Sequence, residues 1–410
     1  MKNIIYNERQ GRRNNMEDRV CLKTTTKGGL FASVFDGHGG DACSNYLQTY
    51  FVDLFNIVLS DLMISDNGKE DDEPLTLSTS GPSGLKRQSV EKASSLQLVS
   101  SRLKMFESGK VTDDTKTEND SSNKEDIISK CLRLTSHIMD GVLLSQAAKI
   151  IHTKSSSKIK SLTRTSKKAA NEDNHLSGST AAMVLFHLDQ IYIAWVGDSR
   201  IIAVVNDEKS NVIELSTDHK ASRPDEKARI RKAGGTVNSK DRLYGDLAVS
   251  RAFGDIYHKG DVLKQDGREY IHNLSTMLDK YLVQNANIGG NIEKTNSVGD
   301  SRRRSSTTGM DINNLNISNI DLTPIHELQS GALICTPDVV IKKKKSVKMI
   351  VIASDGLFDV MSNEDVVKFI YDMMGGNHND MSKIASELTK RAEVLGSVDN
   401  ISVVIVLFDQ

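Results

Sequence analysis

The stretch Leu30-Phe-Ala-Ser-Val-Phe-Asp-Gly-His-Gly-Gly40 joins an apolar run to a polar turn rich in glycine. The run Leu30–Phe35 has the length and the residue types of a buried β-strand. Asp36 stands where this strand ends, and the small glycines beside it leave room for its carboxylate to face a cleft instead of the core. Taken alone, such an aspartate is more simply interpreted as an ordinary turn residue.

Three more aspartates stand at the ends of apolar runs that also predict strands: Asp355 after 349–354, Asp399 before 401–407, and Asp198 between 191–196 and 201–205. Carboxylates that converge repel one another unless a cation lies between them. Ligand sets made only of oxygen select hard ions. Taken as a set, the aspartates therefore indicate a site for Mg²⁺ or Mn²⁺ rather than four unrelated turns.

A second polar cluster, Gly11-Arg-Arg-Asn-Asn-Met-Glu-Asp18, places two cations and two adjacent carboxylates within eight residues. Arginine can hold a phosphate dianion through two parallel hydrogen bonds, so this segment is a candidate phosphate clamp. The alternative is a solvated basic tip. His38, between two glycines, is a candidate general acid near neutral pH, although a single histidine is more often structural.

Other catalytic motifs are absent from the sequence. It has no G-x-x-x-x-G-K-[ST] phosphate loop, no G-x-G-x-x-G, no G-x-S-x-G nucleophile elbow and no H-E-x-x-H zinc motif. No covalent nucleophile stands out. Hydrolysis by a metal-activated water is the chemistry that remains.

Composition narrows the class of protein further. The 410 residues carry 53 Lys and Arg against 54 Asp and Glu, a net charge of -1, which argues against nucleic acid as the main partner. The four cysteines form no C-x-x-C pair, and no apolar run reaches the ~18 residues of a membrane span. We therefore expect a cytoplasmic monomer without nucleic-acid or membrane partners. The run Lys342-Lys-Lys-Lys345 could be a nuclear localisation signal, which would place part of the protein in the nucleus. Its position between two apolar strands favours a solvated hairpin turn instead.

Three polar tracts interrupt the apolar pattern, at about 65–125, 153–175 and 257–330. Without them roughly 250 residues remain, the size of one large domain. We therefore predict a single catalytic domain over 1–410 that is interrupted by disordered insertions, because long insertions in loops cost little closure entropy. In the last tract, Arg302-Arg-Arg-Ser-Ser-Thr307 resembles a site for a basophilic kinase, with Ser305 and Ser306 as candidate acceptors.

Helix and strand signals occur in comparable measure. Helices are predicted over 363–374, over 382–395 and over 225–233, the last with Ser222 in a capping box and Gly234-Gly235 as its C-cap. The runs 191–196 and 201–205 predict an antiparallel hairpin. This mixture favours an α+β fold with antiparallel sheets over a parallel, doubly wound sheet.

The motifs that bear polar side chains follow one another from residue 11 to residue 403: Arg13…Met16-Glu-Asp18, Val34-Phe-Asp-Gly-His-Gly-Gly40, Gly178-Ser-Thr-Ala181, Val196-Gly-Asp-Ser-Arg200, Asp218-His-Lys220, Leu247-Ala-Val-Ser-Arg-Ala-Phe-Gly-Asp255, Thr336-Pro-Asp-Val339, Ala353-Ser-Asp-Gly-Leu-Phe-Asp359 and Asp399-Asn-Ile-Ser402. In this order they resemble the metal-dependent protein serine/threonine phosphatases of type 2C. So many ordered matches make coincidence a poor explanation.

The resemblance implies a central antiparallel β-sandwich flanked by helices, with a small flap beside the active site. It implies that Asp36 bridges two Mg²⁺ or Mn²⁺ ions and that the backbone carbonyl of Gly37 binds one of them. Asp355 and Asp399 would complete the other. Further positions are implied in smaller roles: Asp198 for a weaker third ion, and Glu17 and Asp18 mainly through metal-bound waters.

The resemblance also implies the substrate and the reaction. Phosphorylated proteins would be hydrolysed by a metal-activated water, while Arg13 holds the phosphate oxygens and His38 protonates the departing Ser or Thr oxygen. Two departures from the family pattern, Ala221 and Val398, are not among the implied metal ligands. Two other functions stay open: a pseudophosphatase that serves as a binding scaffold, against which the complete ligand set argues, and a hydrolase of small phosphate esters.

Overall fold

The computed structural model describes residues 3–67, 111–113, 126–158, 174–205, 212–259, 329–375 and 381–408. Most of each predicted insertion lies outside these residues, as do Ser305 and Ser306. Where these tracts are described, the prediction of disorder does not hold: 111–113 is a strand and 153–158 is helical. For the rest of the tracts the expectations stay predictions.

Two large sheets form the centre of the fold. The first has five antiparallel strands, in the order β1 (Asn3–Arg9), β14 (Ile401–Leu407), β13 (Val347–Ala353), β9 (Arg200–Val205) and β10 (Val212–Glu214). The second has six strands, in the order β2 (Arg19–Thr24), β3 (Leu30–Phe35), β7 (Ala181–His187), β8 (Gln190–Val196), β12 (Asp338–Lys343) and β5 (Val111–Asp113). Its pairings are antiparallel except that of β12 with β5.

The two sheets pack face to face over a shared apolar layer. Alternate residues of the second sheet, such as Val34 and Ile193, meet alternate residues of the first, such as Ile352 and Val404. The opposite faces are also covered, so the strands read as unbroken apolar runs instead of alternating polar and apolar. The arrangement is a β-sandwich.

Helices cover both outer faces of the sandwich. The long helices α1 (Ala42–Asn67) and α2 (Ile127–Lys158) pack on the six-stranded sheet, where Phe31 and Phe35 contact Phe51. The helices α5 (Asn363–Gly375) and α6 (Ile384–Val394) cover the five-stranded sheet. The predicted α+β fold, an antiparallel sandwich flanked by helices, is confirmed.

The remaining elements lie at one end of the sandwich. They are the short helices α3 (Pro224–Lys232) and α4 (Asp355–Phe358) and a small sheet of three two-residue strands, β4 (Gly37–His38), β6 (Gly178–Ser179) and β11 (Phe253–Gly254). Helix α3 belongs to the flap segment, which we define as residues 218–244. Its buried Ile230 and Leu243 pack against Ala332 and Leu333 in a small separate cluster.

The predicted hairpin of 191–196 with 201–205 is wrong. The two runs are the strands β8 and β9, but β8 pairs with β7 and β12 whereas β9 pairs with β10 and β13. The turn between them carries the chain from one sheet to the other, with Gly197 at a φ of 97°. Each strand thereby gains two partners, which a simple hairpin would not supply.

Two smaller predictions also need correction. Lys342–Lys345 is not a hairpin turn, because β12 and β13 lie in different sheets. Helix α3 has no capping box: Pro224 occupies its first turn, Arg223 is the N-cap residue, and no side chain caps the helix. The predicted C-cap is confirmed, since Gly234 has a φ of 77° and the amides of Gly234 and Gly235 return to the carbonyls of Arg231 and Ile230. Within the described ranges, no helix is long and apolar enough to cross a membrane.

Candidate active site

The four aspartates singled out at strand ends meet at one end of the sandwich. Asp36 follows β3, Asp355 follows β13 and begins α4, Asp399 precedes β14, and Asp198 lies in the crossing from β8 to β9. Strands β3 and β8 run in the same direction in their sheet, and β14 runs antiparallel to β13, so these chain positions share an edge. Asp18, just before β2, is buried beside them.

The charges of these carboxylates act on one another. Burial raises the pKa of Asp36 well above its usual value, and the negative charges of Asp18, Asp355, Asp198 and Asp399 raise it further. Burial and the charges of Asp198, Asp359 and Asp399 raise the pKa of Asp355 to about 8. Burial, with a contribution from Asp399, raises the pKa of Asp18 to about 6. The site is therefore a concentration of negative charge that protein cations leave incompletely neutralised.

Close backbone contacts hold the loops of the site together. A side chain at Gly37 would lie 2.4 Å from the carbonyl oxygen of Glu17 and 2.8 Å from Ser44 Oγ, so only glycine fits there. The Asn400 side chain donates to the carbonyls of Gln10 and Asn15 and accepts from the amide of Glu17. The N-terminal loop that carries Arg13 and Glu17 is thereby fixed to the segment that carries Asp399.

Two protein cations already contact the acidic cluster. Arg13 Nη2 lies 2.6 Å from Asp399 Oδ2, and the Lys220 ammonium donates to Asp198. Burial alone would lower the pKa of Lys220, but the Asp198 carboxylate outweighs it and raises that pKa. These ion pairs occupy two of the carboxylates that the sequence assigns to metal ions.

The donor set nevertheless fits a hard divalent cation. Across the described ranges, no three His, Cys, Asp or Glu side chains already stand in a coordinating arrangement. However, Asp18 Oδ2 is a buried carboxylate oxygen without a hydrogen-bond partner among the described residues, which is costly unless a cation compensates it. The neighbouring donors are all oxygens, as Mg²⁺ and Mn²⁺ require.

His38 is paired with Asp255, a residue 217 positions away in the chain. Its Nε2 lies 2.7 Å from Asp255 Oδ2. Burial alone would lower the pKa of His38, but the Asp255 carboxylate outweighs it and the pKa is raised. Asp255 sits at a φ of 54°, and a side chain at Gly178 would overlap both partners, at 2.1 Å from Asp255 Oδ2 and 2.4 Å from His38 Nε2. The left-handed backbone at Asp255 and the absence of a side chain at Gly178 therefore leave room for the His38–Asp255 pair.

A second acidic group joins the flap segment to neighbouring parts of the chain, and its carboxylates are paired with protein cations. Glu226, which is buried, contacts Arg251 Nη2 at 2.6 Å and Arg229 Nη2 at 2.8 Å. Arg251 Nη1 also reaches Asp338 Oδ1 at 3.0 Å, and Asp338 Oδ2 lies 3.2 Å from His219 Nε2. We call these five residues the flap network.

Three residues at the site were not predicted to have a role: Lys220, Asp255 and Asp359. Asp359 lies four positions after Asp355, on the same face of α4 and at its C-terminal boundary, so helical spacing could have identified it. The contacts of Lys220 with Asp198 and of Asp255 with His38 join distant parts of the chain, and no local pattern indicates either of them.

The fold and the site define a class of protein: an α+β sandwich with an acidic cluster and an arginine at one end. The family model described as protein phosphatase 2C matches residues 91–401. The chain belongs to the protein phosphatase 2C family.

Relatives with known names are similar over parts of the chain. Probable protein phosphatase 2C 11 of Arabidopsis thaliana is 28% identical over 235 residues, which are 57% of this chain and 42% of that protein. Probable protein phosphatase 2C 2 of Paramecium tetraurelia is 40% identical over 94 residues, 23% of this chain and 30% of that protein. Protein phosphatase 1E of Mus musculus is 27% identical over 241 residues, 58% of this chain and 22% of that protein. The matches thus span less than half the length of these relatives.

Solved structures agree with the fold. A serine-threonine phosphatase 2C from Toxoplasma gondii aligns with a TM-score of 0.52 at 18% identity, over 99% of this chain and 94% of that chain. A C. elegans sex determining protein aligns with a TM-score of 0.52 at 16% identity, over 98% of this chain and 64% of that chain. At these identities the likeness concerns the fold alone.

Proposed function

We propose that the chain is a metal-dependent protein serine/threonine phosphatase that hydrolyses phosphoserine and phosphothreonine in proteins. The observation that carries the proposal is the convergence of Asp18, Asp36, Asp198, Asp355 and Asp399 beside Arg13, in a chain that belongs to the protein phosphatase 2C family. Phosphoryl transfer to water needs charge neutralisation and a held phosphate, and this end of the sandwich offers both.

Two Mg²⁺ or Mn²⁺ ions would be held by Asp36, the carbonyl of Gly37, Asp355 and Asp399, with Glu17 and Asp18 in the surrounding layer and Asp198 at a weaker third position. Bound there, divalent cations supply an activated water and neutralise the charge that develops on the phosphoryl oxygens. The raised pKa values of Asp36 and Asp355 support this assignment, because a cluster that resists ionisation alone gains most from cations.

The remaining steps fall to side chains of this chain. Arg13 has a side chain that is 52% exposed, so its guanidinium can turn from Asp399 to the phosphate oxygens of a substrate. His38 holds a proton for the departing oxygen, and because Nε2 is engaged by Asp255, Nδ1 is the nitrogen left to deliver it. We also propose that the protein is cytoplasmic and that its oligomeric state is a monomer.

Phosphate release from a phosphothreonine peptide tests the proposal. We expect turnover with Mn²⁺ or Mg²⁺ and loss of turnover with a chelator, because partly hydrated hard-ion sites empty readily. Full turnover after exhaustive chelation would contradict the metal assignment. Turnover of p-nitrophenyl phosphate without turnover of any phosphopeptide would favour a hydrolase of small esters, and metal binding without any turnover would favour a scaffold.

A further inference from the structure

A group of exposed aliphatic side chains lies at the end of α6. Across the described ranges, seven large apolar side chains are exposed, and three of them fall within five residues: Val394 at 67%, Leu395 at 43% and Val398 at 65%. Single exposed apolar residues are ordinary on protein surfaces, whereas clusters mark surfaces that another molecule covers. We call these three residues the aliphatic rim.

The backbone beneath the rim is firmly held. The amide of Gly396 donates to Glu393 and that of Ser397 to Ala392, which is the hydrogen-bond pattern of a helix that ends at a glycine. Gly396 has a φ of 107°, and nothing lies within 4 Å of where its side chain would be. The backbone of the turn is therefore held by hydrogen bonds, while no described residue occupies the space beside Gly396. The three rim residues are thus attached to a well-defined backbone.

The rim adjoins the candidate phosphate clamp. Val398 immediately precedes Asp399, which pairs with Arg13, and a side chain at Gly11 would lie 2.2 Å from the carbonyl oxygen of Asp399. On the other side, Arg12 Nη2 donates to the carbonyl of Glu393, the residue before Val394, at 3.4 Å. A cationic loop and an apolar patch thus lie side by side next to the acidic cluster.

We propose that the aliphatic rim binds the polypeptide next to the phosphorylated residue and favours substrates with a large apolar residue there. The inference rests on the proposed function. The occupant follows from charge and position. Arg12 and Arg13 are exposed and attract the phosphate of a phosphopeptide. An extended peptide held by that phosphate passes the aliphatic rim, where one of its apolar side chains can cover the rim.

The test uses three ligands and two variants of the full chain. The ligands are a phosphothreonine peptide with leucine residues beside the phosphothreonine, the same peptide with serine residues in their place, and p-nitrophenyl phosphate. The test variant is the triple substitution V394S/L395Q/V398S. The control is L188N, at an exposed leucine in the turn at the far end of β7, where a φ of 50° suits asparagine.

We expect the wild type to prefer the leucine peptide and the triple variant to lose about tenfold in kcat/KM on that peptide, chiefly through KM. Turnover of the serine peptide and of p-nitrophenyl phosphate should change less than about twofold, and L188N should behave as the wild type. Equal preference of the wild type for both peptides, or an equal loss on all three ligands, would overturn the proposal.

Peptide binding separates this inference from the proposed function. Fluorescence anisotropy of the labelled phosphopeptides reports affinity whether or not phosphate is released. A wild type that binds the leucine peptide more tightly, with the difference lost in the triple variant, supports the rim even if turnover is absent. If sedimentation shows that the wild type is a dimer and the triple variant is a monomer, the rim is an interface between copies of the chain and the proposal is wrong.

Discussion

Two groups of acidic residues lie near the same end of the sandwich, and their electrostatics are opposite. In the flap network, burial alone would raise the pKa of Glu226 and of Asp338. At Glu226 the hydrogen bonds and charges of Arg251 and Arg229 outweigh burial and lower the pKa. At Asp338 the hydrogen bond from His219, with the charge of Arg251, outweighs burial and brings the pKa to about 2. In the acidic cluster, burial and mutual repulsion raise the pKa of Asp355 to about 8. The flap network is complete with protein groups alone, whereas the acidic cluster lacks counter-charge.

The difference shows which acidic residues serve the fold and which serve the chemistry. A buried carboxylate that is fully paired joins elements together, and its removal leaves the partner arginine uncompensated. A carboxylate that neighbouring carboxylates destabilise adds no stability by itself and has a use only when a cation arrives. The same substitution in the two groups should therefore have different consequences.

The largest effect is expected from Asp36→Asn. Phosphate release should fall by at least about a thousandfold, because the proposed bridge between two ions is lost. The free energy of unfolding, measured in urea with a chelator, should stay equal or rise, because the substitution removes a buried carboxyl group whose ionisation its neighbours oppose.

The matched control is Asp338→Asn in the flap network. It should lower the free energy of unfolding by about 3 kcal/mol, because Arg251 loses a buried charge partner. The comparison fails if Asp36→Asn destabilises the fold as much as Asp338→Asn does.

The next largest effect separates two kinds of leaving group. His38→Ala should reduce turnover of a phosphothreonine peptide by ~10²–10⁴ because an alkoxide leaves poorly without a proton. Turnover of an aryl phosphate should change little, since a nitrophenolate needs none. His187→Ala, at the end of β7 and away from the site, is the control. Equal loss on both substrates would mean that His38 supports the site in another way.

A smaller effect is expected from Arg13→Ala. KM for the phosphopeptide should rise by about tenfold or more, because a charged hydrogen bond to phosphate is lost. Metal affinity, measured by calorimetry, should stay equal or tighten slightly, because Asp399 loses the guanidinium that competes for it. A large loss of metal affinity would contradict the assignment of Arg13 to the phosphate.

The sequence predicted the strands of the sandwich and the aspartates at their ends because both signals are local. Apolar runs such as Ile401–Leu407 agree with strand β14 to the residue. Asp36 and Asp399 were predicted to converge from their positions at strand ends, whereas Arg13 was joined to them only through the ordered motifs. The structure brings all three to one end of the fold.

What the sequence missed depends on contacts between distant residues. Strands β8 and β9 lie in different sheets because β8 pairs with β12 and β9 pairs with β13, each more than 130 residues further along the chain. The apolar pattern of two neighbouring runs cannot indicate such distant pairing. The same holds for Asp255 and Lys220, whose partners are set by the fold. Of the aliphatic rim, the sequence indicated only Val398, as a departure from the family pattern. The structure shows that the rim is exposed and that it lies beside Arg12.

The smallest expected effect is the response of the flap network to acid. Burial lowers the pKa of His219 to about 4, so the folded protein keeps this ring neutral while the unfolded chain protonates it near its ordinary value of about 6.5. Stability from this group is complete above that value and is lost as the pH falls from about 6.5 to 4. Asp338, with a pKa of about 2, extends the loss below pH 4, where the unfolded chain takes up the proton first.

The free energy of unfolding should therefore fall by at most about 1.4 kcal/mol per pH unit from His219 in the upper range. Other groups titrate as well, including the acidic cluster, so the informative quantity is the difference between the wild type and His219→Gln in urea at several pH values with a chelator present. The variant should respond less to pH between 6.5 and 4, although its stability at pH 7 is lower because the hydrogen bonds of His219 to Gly197 and Asp338 change. Identical slopes for the two proteins in this range would show that the flap network does not hold a neutral histidine, and the contrast with the acidic cluster would then rest on its carboxylates alone.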